Sequence, residues 1–129
     1  MTAMSLVVIS DFSRLESLYH TVRDVSLRLF VNDHEPTGAD TVKEFVEAEF
    51  PGYAPIPIGH DDWTVSGFRL TLPILVFALN EDLDLRVLVQ GWYLSRGDDV
   101  VMAGCVDEKP HRLVNKGDKI KVRGINIGG

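Results

Sequence analysis

Val25-Ser26-Leu27-Arg28-Leu29-Phe30-Val31 is the stretch on which the fold turns. Val25, Leu27, Leu29 and Val31 alternate with Ser26, Arg28 and Phe30. A period of two puts one set on a buried face and the other toward solvent, which is a half-buried strand. Asn32 to Thr37 closes it with turn residues and a proline.

Upstream, Leu6-Val7-Val8-Ile9 is a short apolar run, read as an N-terminal strand or arm over 1–10. Ser13 and Glu16 have capping-box spacing, and Phe12, Leu15, Leu18, Tyr19 and Val22 share one helical face. The spacing predicts a helix over 11–22. Downstream, Asp40 and Thr41 are candidate caps for a second short helix with Val42, Phe45, Val46 and Glu49 on one side. Pro51 and Gly52 stop it. Tyr53 to Gly59 holds two prolines in seven residues, so it is expected along a sheet edge.

From Trp63 onward the pattern is β. Strands are expected at 62–68, 70–79, 84–94, 99–106 and 119–127, with turns at Asn80–Asp82, Arg96–Asp99, Lys109-Pro110 and Asn115–Asp118. In the last strand Ile120 and Val122 face inward and Lys121 and Arg123 outward, with a phase shift at Gly124. No helical stripe separates these strands, which excludes a parallel α/β sheet. The expected fold is mainly β (β-rich α+β): an antiparallel β-sandwich or barrel with one or two short N-terminal helices.

The 129 residues suit a single domain spanning 1–129. Apolar residues are 45% of the chain and charged residues 25%, enough for a core without metal or disulfide. Nineteen acidic against 13 basic residues leave a net charge of −6. That balance repels nucleic acid at long range, so no nucleic-acid partner is expected. The longest apolar stretch, Leu72 to Leu79, is far short of the roughly 20 residues of a membrane span, and no signal peptide is read at the N-terminus. No membrane partner is expected.

Candidate chemistry is sparse. His60-Asp61-Asp62 sets three metal-ligand types side by side, but consecutive loop residues converge only if the loop curls. His34 with Glu35 is a smaller group, and His20 and His111 stand alone. Cys105, the only cysteine, lies in the apolar run Val100–Val106, where a thiol acts as a small hydrophobe. Arg96-Gly97-Asp98 reads as a turn with glycine at its tip. None of the 11 glycines completes a phosphate-binding motif. Trp63, Trp92 and Tyr53 would make a sugar-stacking platform if they shared an exposed face, and burial of both tryptophans would remove it. No catalytic, cofactor-binding or metal-binding residue is assigned, no cofactor is expected, and the expectation is a protein that is not an enzyme.

Several words, in order, resemble a group of small structural proteins of tailed bacteriophages. They are Leu27-Arg28-Leu29-Phe30-Val31-Asn32-Asp33, Pro36-Thr37, and Glu44-Phe45-Val46-Glu47-Ala48-Glu49-Phe50-Pro51-Gly52-Tyr53-Ala54-Pro55. Trp63-Thr64-Val65, Gly91-Trp92-Tyr93 and Asn115-Lys116-Gly117-Asp118-Lys119-Ile120-Lys121-Val122 follow. The likeness runs from about residue 25 to 123, and departs from the pattern at Trp92, where a tyrosine is the usual residue. It implies a virion component made in the host cytoplasm: a capsid decoration or cement protein, with a tail, fibre or adaptor subunit as the alternative. It also implies self-association, most simply as a trimer, and binding to the major capsid protein or other virion proteins.

Three segments suit such contacts. Leu6, Val7 and Val8 could add a strand to a neighbour's sheet. Tyr53, Ile56 and Ile58 sit on a loop stiffened by three prolines, which loses little entropy on docking; packing on the chain's own edge is the other reading. Leu70 to Leu79 is apolar on both faces, so a second layer or a symmetry mate must cover it.

Overall fold

The computed structural model describes residues 7–8, 24–66, 69–106, 109–123 and 125–128. The helix expected over 11–22 lies outside them. Among the described residues the chain is mainly β, and every strand pairing is antiparallel.

The strands are β1 (Val7–Val8), β2 (Val25–Phe30), β3 (Ile56–Ile58), β4 (Thr64–Ser66), β5 (Arg69–Thr71), β6 (Leu75–Ala78), β7 (Val87–Val89), β8 (Gly91–Arg96), β9 (Asp99–Cys105), β10 (His111–Leu113), β11 (Lys119–Val122) and β12 (Asn126–Gly128). A five-stranded sheet runs β1-β9-β8-β2-β3, with the backbone of β1 pairing the chain's own β9. The proline-bearing β3 is an edge, as its missing N–H requires. The smaller sheets are β10-β7, β11-β6 and β12-β5-β4.

These sheets share one thread. Leu70 faces Ile127, Phe77 faces Ile120, Leu88 faces Arg112, and Tyr93 faces Ala103. The register closes inward, pair by pair, on the Gly97-Asp98 turn. Between the ladders it is carried by single bonds: Leu72 N–H to Ile125 O, Leu79 N–H to Asp118 O, Leu83 N–H to Val114 O, and Val106 N–H to Gln90 O. The described residues between 69 and 128 therefore follow one long antiparallel hairpin, repeatedly interrupted. Gly97 sits at φ +60°, which a two-residue hairpin turn requires of its first central residue.

The interruptions correct three expected strands. The 70–79 strand breaks at Leu72-Pro73-Ile74, because proline fixes φ and offers no N–H to the ladder. The 84–94 strand starts only at Val87 and breaks at Gln90, whose N–H goes to Phe30 O instead. The 119–127 strand breaks between Val122 and Asn126. The strand expected over 62–68 starts only at Thr64, behind a 3-10 turn at His60–Asp62, and its positions 67–68 lie outside the described residues.

The second helix is also corrected. It is one 3-10 turn, Val42–Glu44, closed by a capping box between Thr41 and Glu44. Beyond it the chain is extended, because its backbone groups bond β2 rather than each other. Val31 N–H donates to Val46 O and Ala48 N–H to Leu29 O, both at 2.9 Å. Phe45 turns inward while Val46 points out, 56% exposed.

The main core draws on every sheet: Leu27 and Trp92, Leu70, Phe77 and Ile120, and Val89 and Leu113. A second cluster of Phe30, Phe45, Tyr93, Val100 and Ala103 lies apart from it. Phe45 stacks on Tyr93 at 4.6 Å and meets Phe30 edge-on at 4.9 Å. Hence Phe30, expected on the solvent side of β2, is fully buried.

Candidate functional site

Most of the residues singled out from sequence hold the fold. Asp62 closes the 3-10 turn by accepting the Gly59 N–H at 2.6 Å, and Asp61 is exposed beside it. The side chain of His60 and the whole of His20 lie outside the description. Among the described residues, no three or more His, Cys, Asp or Glu side chains gather as a metal site. His111 sits on β10, opposite Val89.

His34 and Glu35 are separated in role. His34 Nε2 lies 2.8 Å from Asp40 Oδ2, and its ring packs edge-on against Phe45 at 5.2 Å. Asp40 is buried and also accepts the Thr37 N–H at 2.8 Å and the Thr37 hydroxyl at 3.0 Å. Burial alone would raise its carboxyl. The Thr37 N–H, the His34 ring and the Thr37 hydroxyl outweigh it, so the acid is held below its ordinary 3.8. Glu35, with Asp33, flanks the ammonium of Lys109 at 3.7 and 3.4 Å. Burial pushes the Cys105 thiol above its ordinary 9.0, and Glu35 and Asp33 add to this against the opposing Lys109. A thiol so placed is a poor nucleophile.

Trp63 and Trp92 are both buried, Trp92 completely. The aromatic platform of Trp63, Trp92 and Tyr53 therefore does not form. Trp92 instead covers Gly104: a Cβ there would lie 2.7 Å from its Cζ2. The indole N–H of Trp92 is buried with no partner among the described residues. Tyr93, its neighbour, has its phenol pushed up to about 12 by burial and the charge of Glu47, against the pull of Arg28.

A network that sequence reasoning missed lies under the Phe50–Ile58 loop. Arg28 Nη1 donates to both oxygens of Glu47 at 2.9 and 2.8 Å, and its Nε donates to Ser95 Oγ at 3.1 Å. The Tyr53 hydroxyl donates to Glu47 Oε2 at 2.5 Å and accepts the Leu29 N–H at 3.2 Å. The geometry explains why. On one edge of β2, Leu27 pairs with Ile56 and Phe30 with Glu47, leaving the Leu29 N–H between two partners. The phenol fills that gap as a carbonyl would. Burial and Glu47 raise the Tyr53 phenol far above its usual range. The only sequence hint was Glu47 and Tyr53 flanking a Pro-Gly turn within one motif.

The loop's three interface candidates are thereby placed. The Tyr53 ring is half-buried and stacks on Phe77 at 5.6 Å. Ile56 is half-buried against the core, and Ile58 is inside it. Tyr53 and Ile56 thus pack on their own domain while keeping part of their surface open, and Ile58 is buried. Val7 and Val8 form β1 by their backbone, while Leu6 lies outside the description.

What remains exposed and apolar is elsewhere. Val76 projects from the outer side of β6 and Ile74 from the residue just before it, Leu85 from the following loop, and Val46 from the segment beside β2. An open groove of about 490 Å³ runs past Val46, lined also by Val31, Glu47, Glu49, Arg86 and Val87. No helix among the described residues is long and apolar enough to cross a membrane. No protein-family model matches the chain, and no curated protein or solved structure matches it either.

Proposed function

We propose that this chain is a non-enzymatic structural protein of a tailed-bacteriophage virion, a decoration or cement protein bound outside the capsid shell. The carrying observation is the ordered set of words from Leu27 to Val122, supported by the apolar side chains of Val46, Ile74, Val76 and Leu85 left exposed on the surface. On this reading the antiparallel sheets form the layers of a β-sandwich or the wall of a barrel. The core residues common to all four sheets support that closure.

The physics is linkage. A protein that binds only the assembled shell stabilises it by mass action, against internal DNA pressure. Self-association, as a trimer, repeats each contact, and the avidity makes modest interfaces lasting. A rigid β domain suits this task, since little conformational entropy is lost when it docks.

The test is to locate the chain in particles of the phage that encodes it. Stoichiometric recovery with purified virions, and density on the outer shell in a reconstruction, is the expected result. Density in the tail would favour the tail, fibre or adaptor alternative. Absence from the particle would overturn both.

A further inference from the structure

The outer face of the β6–β11 ribbon carries exposed apolar side chains. Phe77, Ile120 and Val122 point into the core. The alternating residues point out: Ile74 at 55% and Val76 at 44% exposure, with Ala78, Lys119 and Lys121 also exposed. Across the ladder Val76 faces Lys121 and Ala78 faces Lys119, so an apolar row lies directly beside a basic one. Neither strand contains a carboxylate, in a chain whose net charge is −6. Lys119 and Lys121 make no ion pair among the described residues.

The complement follows at once in the chain. Glu81, Asp82, Asp84 and Leu85 stand on the loop between β6 and β7, and Leu85 is 84% exposed. The loop is held in shape: Leu83 N–H bonds Val114 O, and Asp82 accepts the Lys116 N–H at 2.8 Å. That leaves Glu81 and Asp84 without partners among the described residues.

We infer that the β6–β11 face of one copy docks on the Glu81–Leu85 loop of a second copy. Lys119 and Lys121 meet Glu81 and Asp84, and Ile74 and Val76 cover Leu85. Stacking the basic row on itself would set lysine against lysine, so the contact joins unlike surfaces. Such a heterologous contact closes into a ring when its rotation divides a full turn. The inference rests on the self-association in the proposed function and says which surfaces carry it.

The experiment measures mass by light scattering after size exclusion, across a dilution series. It compares the native chain, Lys119→Glu/Lys121→Glu, Glu81→Lys/Asp84→Lys, and the chain with all four changes. All four positions are exposed, and circular dichroism checks that each variant folds. Each reversed pair is expected to weaken association by roughly 100-fold or more, as like charges placed face to face do. The fourfold variant is expected to restore it. An oligomer indifferent to both reversals would overturn this contact and leave self-association standing. A native chain that stays monomeric would overturn self-association and this contact together.

Discussion

The hydroxyl of Tyr53 stands in for a missing strand partner of Leu29. It accepts the Leu29 N–H at 3.2 Å and passes its own proton toward Glu47 at 2.5 Å. Leu29 is fully buried, so its N–H has no solvent to turn to. This one side chain ties the Phe50–Ile58 loop to β2 and holds the carboxylate that Arg28 also grips.

Tyr53→Phe keeps the ring stacked on Phe77 but removes the hydroxyl. An unpaired buried N–H costs about 1–3 kcal/mol, so urea unfolding is expected to show a loss in that range. An unchanged midpoint would show that the phenol contributes no net stability.

Gly104→Ala puts a methyl 2.7 Å from Cζ2 and 2.9 Å from Cε2 of Trp92, an indole with no room to swing. Overpacking of this kind costs about 1–3 kcal/mol. A lowered melting temperature with altered Trp92 fluorescence is expected. Gly91→Ala should be harsher, since its methyl meets the Gly104 carbonyl as well as the Phe30 ring.

Asp40 makes stability depend on acid. Its folded pKa lies below the ordinary 3.8, so its contribution is complete above that value and is lost as pH falls through the folded pKa. Unfolding free energies measured from about pH 6 down to about pH 2 should fall below pH 4, where the unfolded chain takes up the proton first. Asp40→Asn should flatten this acid limb and lower stability near neutrality. An unaltered acid limb would assign the slope to other carboxylates.

Cys105 should resist alkylation near pH 7.5, because burial holds its thiol above 9.0. Reaction with a disulfide reagent is expected to be at least about 10-fold slower in the folded chain than in urea. Equal rates would mean that the thiol is open and activated.

Much of the architecture was legible in local pattern. The period of two in Val25–Val31, the edge position of the Ile56-Pro57-Ile58 segment, the turn at Gly97 and the inward Ile120 and Val122 all follow from side-chain alternation and turn chemistry. The same pattern misled where a longer-range partner intervened. Val42 to Glu49 carries helical spacing, yet β2 claims its backbone groups and Phe45 joins Phe30 and Tyr93. The stacking platform that Trp63, Trp92 and Tyr53 would have made on a shared exposed face is removed by the burial of both tryptophans, which local pattern alone left open.

By itself, then, the sequence determined that this is an antiparallel β protein, because strand alternation and turn residues act over a few positions. Only the tertiary structure decided that the described residues between 69 and 128 follow one interrupted hairpin, that Tyr53 completes the edge of β2, and that Ile74, Val76 and Lys121 share an uncovered face. Those facts depend on which distant backbone groups and surfaces meet, and the distance between partners leaves no periodicity in the chain.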